Sequence, residues 1–305
     1  MNLTTQIHIF QMNKILALSL KIRYNTLMKK LFFLLFLLFL SACQTPQPTD
    51  KITFENILLD GQLAYGHINP AHKLFIANAE RRVGEKSGTF QIPTQNGAFA
   101  IGIPQDATNL KLTLQTETGT ETFDFPIPKR QWKEDIVNGL PPKKVIPPQE
   151  EQGRIMEEFL LMRDKRKLSD YPQFAHEWTL PITEYSRISS PFGARRILNG
   201  AITQSHSGTD YAAPEGTPVL AAADGRVVLI HPDMFYTGKT VLIDHGFGIY
   251  TNYCHLSRID VQEGQIVKAG EPIAAVGSTG RATGSHLHFG LSWYGVRLNP
   301  EDLFK

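Results

Sequence analysis

Cysteine is scarce in this chain. Two occur in 305 residues, Cys43 and Cys254, which excludes a scaffold stapled by several disulfides. A bilayer-length apolar run is missing as well. The run Leu31 to Leu40 falls well short of the roughly 20 residues that a spanning helix needs. Acidic residues are absent from positions 1–42, which carry Lys14, Lys21, Arg23, Lys29 and Lys30. The rest of the chain has 26 basic side chains against 29 acidic ones, so the formal charge of +2 belongs to the N-terminal stretch. No strongly basic body remains, and nothing points to nucleic-acid binding. With 42% hydrophobic and 20% charged residues, the composition is that of a folded globular protein.

The N-terminal stretch reads as a targeting segment. Lys29-Lys30, the apolar run and the small residues Ser41-Ala42 have the order of a signal peptide over 1–42, with Met28 as its natural start. Leu40-Ser41-Ala42-Cys43 resembles a bacterial lipobox, which implies cleavage before Cys43 and a lipid on its sulfur. Ordinary secretion with an incidental cysteine is the alternative. Lipidation would tie the protein to a membrane, and Gln44 after the cysteine implies the outer membrane, facing the periplasm. Residues 43–51 are polar and contain proline, as a tether does. A lipidated Cys43 leaves Cys254 without a disulfide partner.

The expected fold is mainly β. Short alternating runs over 52–128, punctuated by Asn96-Gly97 and Thr118-Gly119, predict a small Ig-like sandwich. The proline-bearing segment 129–178 reads as a linker with one helix from Glu150 to about Arg166, its apolar face marked by Ile155, Phe159 and Met162. From 179 to 305 the pattern predicts an antiparallel sheet domain with a hairpin across Asp244 to Gly248.

The chemistry is concentrated in this last third. His206 and Asp210 stand four apart around Gly208, His255 follows Cys254, and His286 and His288 stand two apart. On a strand, residues i and i+2 share a face, so the last two imidazoles project into one space. A hydrolytic zinc site uses three nitrogen or oxygen ligands and keeps one position for water. Five candidates therefore hold one ion and leave two imidazoles for proton transfer, although spacing alone does not say which two. Neighbouring strand residues point to opposite faces, so Cys254 should face away from His255 and act as a small buried residue. His245 reads as a turn residue and His231 as a loop residue. His67, His72 and His176 read as surface, turn or linker positions, and His8 lies in the targeting segment.

From about Arg187 to Pro300 the chain resembles the M23 family of zinc peptidases, the lysostaphin and LytM type. The family's H-x-x-x-D element is matched by His206 and Asp210, its H-x-H element by His286 and His288, and its intervening histidine by His255. Framing segments match as well: Ile188 to Gly193, Gly208 to Pro214 and Gly277 to Gly284. The resemblance implies one Zn2+ on His206, Asp210 and His288, with His255 and His286 as the free catalytic pair. It also implies hydrolysis of peptide cross-links in bacterial peptidoglycan. In a diderm envelope that means D,D-endopeptidase action on meso-diaminopimelate cross-links. His286 is then the base for the attacking water and His255 the donor. Arg195 and Arg196, just beyond Phe192-Gly193, are candidates to hold substrate carboxylates, or else solvated surface charges. Cys254 and Ser285 stand where members commonly have glycine and proline.

Two other readings are weighed. Some members of the family have lost catalytic residues and activate cell-wall amidases, which would make other wall enzymes the partners; the intact five-residue set argues for catalysis. A lipoyl or phosphocarrier module would also suit the hairpins around Pro218 to Ile230 and Val261 to Val276. It would not need an export signal, and neither hairpin presents an obvious lysine at its tip.

Overall fold

The structure is a computed structural model that describes residues 51–76, 90–138, 146–167, 169–198, 201–202 and 205–304. The expected signal segment, most of the expected tether and Cys43 lie outside these residues. The first half contributes β1 (Ile52–Phe54), β2 (Leu63–Ile68), β3 (Lys73–Ile76), β4 (Phe90–Ile92), β5 (Ala98–Gly102), β6 (Asn109–Thr116) and β7 (Gly119–Pro126). Next come β8 (Glu134–Val137), helix α1 (Gln152–Lys165), β9 (Arg187–Ser190), β10 (Arg195–Leu198), β11 (Ala201–Ile202) and β12 (Thr209–Ala212). The last part holds β13 (Pro218–Leu220), β14 (Gly225–Met234), β15 (Gly238–Asp244), β16 (Ile249–Leu256), β17 (Arg258–Ile259), β18 (Ile266–Val267), β19 (Pro272–Ala275), β20 (His286–Trp293) and β21 (Val296–Leu298). The chain is mainly β, as its alternating patterns predict.

The central element is a sheet in the order β18-β14-β15-β16-β20-β12-β9, with β21 also paired to β20. Every pairing in it is antiparallel. One face carries Val227, Val241, Ile243, Tyr253, Leu287 and Phe289, packed against Val219, Ile273 and Ala274 of the small sheet β13-β19-β17. Ile249, Leu291, Trp293 and Leu298 join a second core with Ile52, Leu63, Phe99 and Leu112 of the first half. The contact is close at Gly102, where a Cβ would lie 2.7 Å from Trp293 Cβ. The first half itself forms the sheets β1-β2-β5 and β4-β3-β6-β7.

The segment expected as linker carries structure of its own. β8 pairs in parallel with β10, Ile136 opposite Ile197. Helix α1 packs Leu161 and Met162 against Leu229, Leu242 and Tyr250. Its buried face differs from the expected one, because Phe159 is exposed. Glu158 faces the sheet instead: its carboxylate accepts from the Phe235 N–H at 2.8 Å and from Arg154 Nε at 2.8 Å. A backbone donor at the facing position thus sets the helix's rotation.

Candidate metal and catalytic site

Strand pairing assembles the site on the face of the central sheet opposite the two larger apolar cores, the face that also carries the cluster under α1. Asp210 on β12 lies directly opposite His288 on β20, and Cys254 on β16 flanks His288 from the other side. His286 shares the face of His288 by the two-residue period. His206 stands just before β12, and two backbone bonds hold it to a loop: Gly193 N–H donates to His206 O at 2.9 Å, and His206 N–H to Ala194 O at 2.8 Å.

His206, Asp210 and His288 are buried and bring three donor atoms together. Asp210 Oδ1 is 2.7 Å from His288 Nδ1 and 3.1 Å from His206 Nε2, and the two nitrogens are 3.0 Å apart. His206 Nδ1 lies 3.0 Å from Pro191 O and 3.0 Å from Ser190 Oγ. A carbonyl only accepts, so Nδ1 carries the ring proton and Nε2 keeps its lone pair. That lone pair faces a carboxylate oxygen, an arrangement made favourable by a cation shared between them. Two imidazole nitrogens and one carboxylate oxygen form the donor set of a hydrolytic zinc site, so these residues fit the ion. Burial raises the pKa of the Asp210 carboxyl. When the rings are protonated, the charges and hydrogen bonds of His206 and His288 outweigh burial and hold it well below the usual range, and a bound cation takes that role when His206 Nε2 keeps its lone pair. Gly208 makes room: a Cβ there would lie 2.8 Å from His288 Nε2 and 2.4 Å from Phe289 O.

The other two imidazoles form a pair beside this group. The His255 and His286 rings lie 4.6 Å apart between centroids, and His286 Nε2 is 4.0 Å from Asp210 Oδ1. His255 Nδ1 donates to Thr279 O at 2.8 Å, and His286 Nδ1 to Gly284 O at 2.8 Å. Both rings therefore present Nε2 lone pairs when neutral. Burial, and then the neighbouring His286 and His288, push the His255 imidazole down to about 3. His255 is neutral near pH 7 in this setting, and its unprotonated Nε2 is an acceptor rather than a ready donor. Its backbone has φ of +61°, so the β16 alternation breaks there. The Gly277–Gly284 segment supplies both accepting carbonyls. It approaches Gly238 so tightly that a Cβ on Gly280 would lie 2.4 Å from Gly238 N.

The remaining sequence candidates stand as follows. Arg195 is exposed on β10, with Nη1 3.3 Å from Glu134 Oε1. Arg196 lies on β10 opposite Asp135, and its side chain is outside the described residues. Cys254 is buried, and burial pushes its thiol up to about 11, which suits an inert residue. Contrary to expectation it shares the face of His288, its partner across the sheet, because the alternation breaks at His255. His245, expected to serve a turn, is fully buried: Nδ1 donates to Asp224 O at 2.7 Å, and Nε2 is 2.7 Å from Thr251 Oγ1. His231 lies within β14 rather than in a loop.

Sequence reasoning missed the support from the first half of the chain. Trp132 lies 5.5 Å from Phe192 between ring centroids, and a Cβ on Gly193 would lie 2.3 Å from its ring. Its indole N–H donates to the buried Asp60 carboxylate at 3.2 Å, and Gln105 Nε2 donates to Gly193 O at 3.3 Å. These residues fix the loop that brackets His206. Only the aromatic residue at 132 was a possible sequence signal, since the contacts span tens of residues.

A β-sheet carrying a three-donor metal group and a flanking pair of imidazoles defines the class of protein: a single-ion metal centre built for hydrolysis. Residues 204–300 match the model of Peptidase family M23. It is 47% identical over 116 residues to the DD-carboxypeptidase/endopeptidase Mpg of Neisseria meningitidis serogroup B, covering 38% of this chain and 26% of the relative. It is 44% identical over 124 residues to the peptidoglycan DD-endopeptidase ShyA of Vibrio cholerae, covering 39% and 28%. The chain thus spans about a quarter of the length of these relatives. A crystal structure from Pseudomonas aeruginosa, described as a peptidase M23, superposes with a TM-score of 0.61. That match has 28% identity over 81% of this chain and 95% of the other.

Proposed function

We propose that the protein is a zinc-dependent endopeptidase that hydrolyses peptide cross-links of bacterial peptidoglycan, with D,D-endopeptidase action on meso-diaminopimelate cross-links as the specific assignment. The observation that carries this reading is the convergence of His206, Asp210 and His288 within 3.1 Å, beside an intact His255–His286 pair. The names of the relatives support the substrate class.

His206 Nε2, Asp210 Oδ1 and His288 Nδ1 would hold the ion. Bound zinc lowers the pKa of water towards about 7 and polarises a carbonyl. His286 Nε2 takes the proton of the attacking water, because its Nδ1 is committed to Gly284 O and its Nε2 faces the ligand group. The His255 ring stands beside that of His286, 4.6 Å away between centroids. It acts as donor to the developing oxyanion or the leaving amine only after taking up a proton. The two rings therefore share one proton through the cycle. Arg195 and Arg196 belong to this proposal as contacts for substrate carboxylates, as do a lipid on Cys43 and a periplasm-facing outer-membrane location.

The alternative is a non-catalytic member that activates cell-wall amidases. The complete five-residue set favours the enzyme. Zinc-loaded protein incubated with isolated sacculi should convert cross-linked muropeptide dimers to monomers, read by mass analysis of the products. Zinc binding with dimers left intact would instead favour the regulator.

A further inference from the structure

A second polar cluster lies on the same sheet face as the histidines. Along β20 the residues His286, His288, Gly290 and Ser292 share that face. Ser292 stands opposite Tyr250 on β16 on one side and Arg297 on β21 on the other. Four residues of strand place Ser292 roughly 13 Å from His288. Gly290 and Asn252 lie between the two positions, directly opposite each other. A Cβ on Gly290 would lie 2.6 Å from Asn252 Oδ1, so the missing side chain leaves room for that amide.

Two arginines meet over this end of the face. Arg166, just past the end of α1, donates from Nη2 to Asn252 Oδ1 at 3.0 Å, while its Nε is buried without a hydrogen-bond partner. Arg297 reaches solvent and makes no ion pair or hydrogen bond among the described residues. Ser292 is buried, and its Oγ likewise has no partner. Burial and then the like charge of Arg297 push the Arg166 guanidinium down to about 10, against smaller opposing contributions from Cys254 and Tyr250. Arg297 is also pushed below its usual range by the protein around it. The Arg166 Nε and the Ser292 hydroxyl, both buried without partners beside a second guanidinium that reaches solvent, are groups that folded proteins normally satisfy.

We propose that Arg297 and Arg166, with Ser292 beneath them, form a subsite for a carboxylate of the peptide substrate, about four residues of extended chain from the metal group. The arginine fork matches a carboxylate in geometry as well as charge. The subsite rests on the peptidase reading and adds to it a requirement for a free carboxylate at fixed distance from the cut bond. That carboxylate could be the chain-terminal one or the side-chain one of a diamino diacid.

The test uses cross-linked peptide dimers made with all carboxylates free, with the terminal carboxylate amidated, or with the side-chain carboxylate amidated. The wild-type protein should cut one amidated form with kcat/KM about tenfold lower, mainly through KM, and the form affected names the source. Arg297→Gln should bring the rates of free and amidated peptides together. Equal rates on all three peptides with wild type, or undiminished discrimination in Arg297→Gln, would overturn the subsite. Should no peptide be cut, the peptidase reading fails and binding decides the matter. Calorimetric titration of the intact chain with the free-carboxylate dimer should then weaken about tenfold in Arg297→Gln, and unchanged affinity would sink the proposal.

Discussion

At Gly208 the side chain is a hydrogen because His288 and the Phe289 carbonyl leave no room for a methyl. Gly208→Ala should therefore weaken metal binding about ten- to hundredfold without changing any ligand, since the shift falls on the His288 ring. Competition with a chelator measures this, and unchanged affinity would mean that the ring is less tightly held than its contacts imply. The five candidate side chains were legible in the sequence as a group. Spacings of four and two residues place side chains predictably when one element is a strand and the other a loop entering a strand. Which imidazoles bind and which stay free was not legible from spacing, and came from the family resemblance. The tautomers were not legible at all, because the accepting carbonyls of Pro191, Thr279 and Gly284 lie on other segments. They show His255 with a bare Nε2, a detail that the sequence reading of His255 as donor did not contain.

At the scale of elements, β14, β15 and β16 are tied together by a buried histidine. His245 bridges the Asp224 carbonyl and Thr251, whose hydroxyl lies 3.1 Å from the Tyr253 hydroxyl. Burial pushes the His245 imidazole down to about 4, whereas an unfolded histidine titrates near 6.5. The unfolded chain thus binds the proton first as pH falls. The stabilisation from a neutral His245 is complete above about pH 6.5 and is lost progressively towards pH 4, on the order of 3 kcal/mol in all. Urea denaturation across pH 7.5 to 4.5 should show that loss, and His245→Asn, though less stable at pH 7.5, should flatten it. Parallel pH slopes in the two proteins would contradict this account of His245. The strands themselves were legible because their alternation is local. The rotation of α1 was not, because it depends on the Phe235 N–H some 77 residues away. The strand β8 was hidden for the same reason, since its partner is β10.

At the scale of the whole molecule, the first half of the chain serves the site from a distance. Asp60 and Gln105 hold Trp132 and Gly193, and the loop around Gly193 holds His206. Trp132→Ala should lower zinc affinity about tenfold and alter the visible spectrum of the cobalt-substituted protein, because a ligand's support is loosened. Loss of thermal stability with metal affinity and spectrum intact would confine Trp132 to packing. The central claim is a division of labour among five side chains, three gripping the ion and two moving protons. It is tested most directly by measuring bound zinc and turnover in the same preparations of His286→Ala and His288→Ala. The account predicts one zinc per chain in His286→Ala with turnover down at least about a hundredfold, and neither zinc nor turnover in His288→Ala. Zinc lost from His286→Ala, or normal turnover in it, would contradict the account.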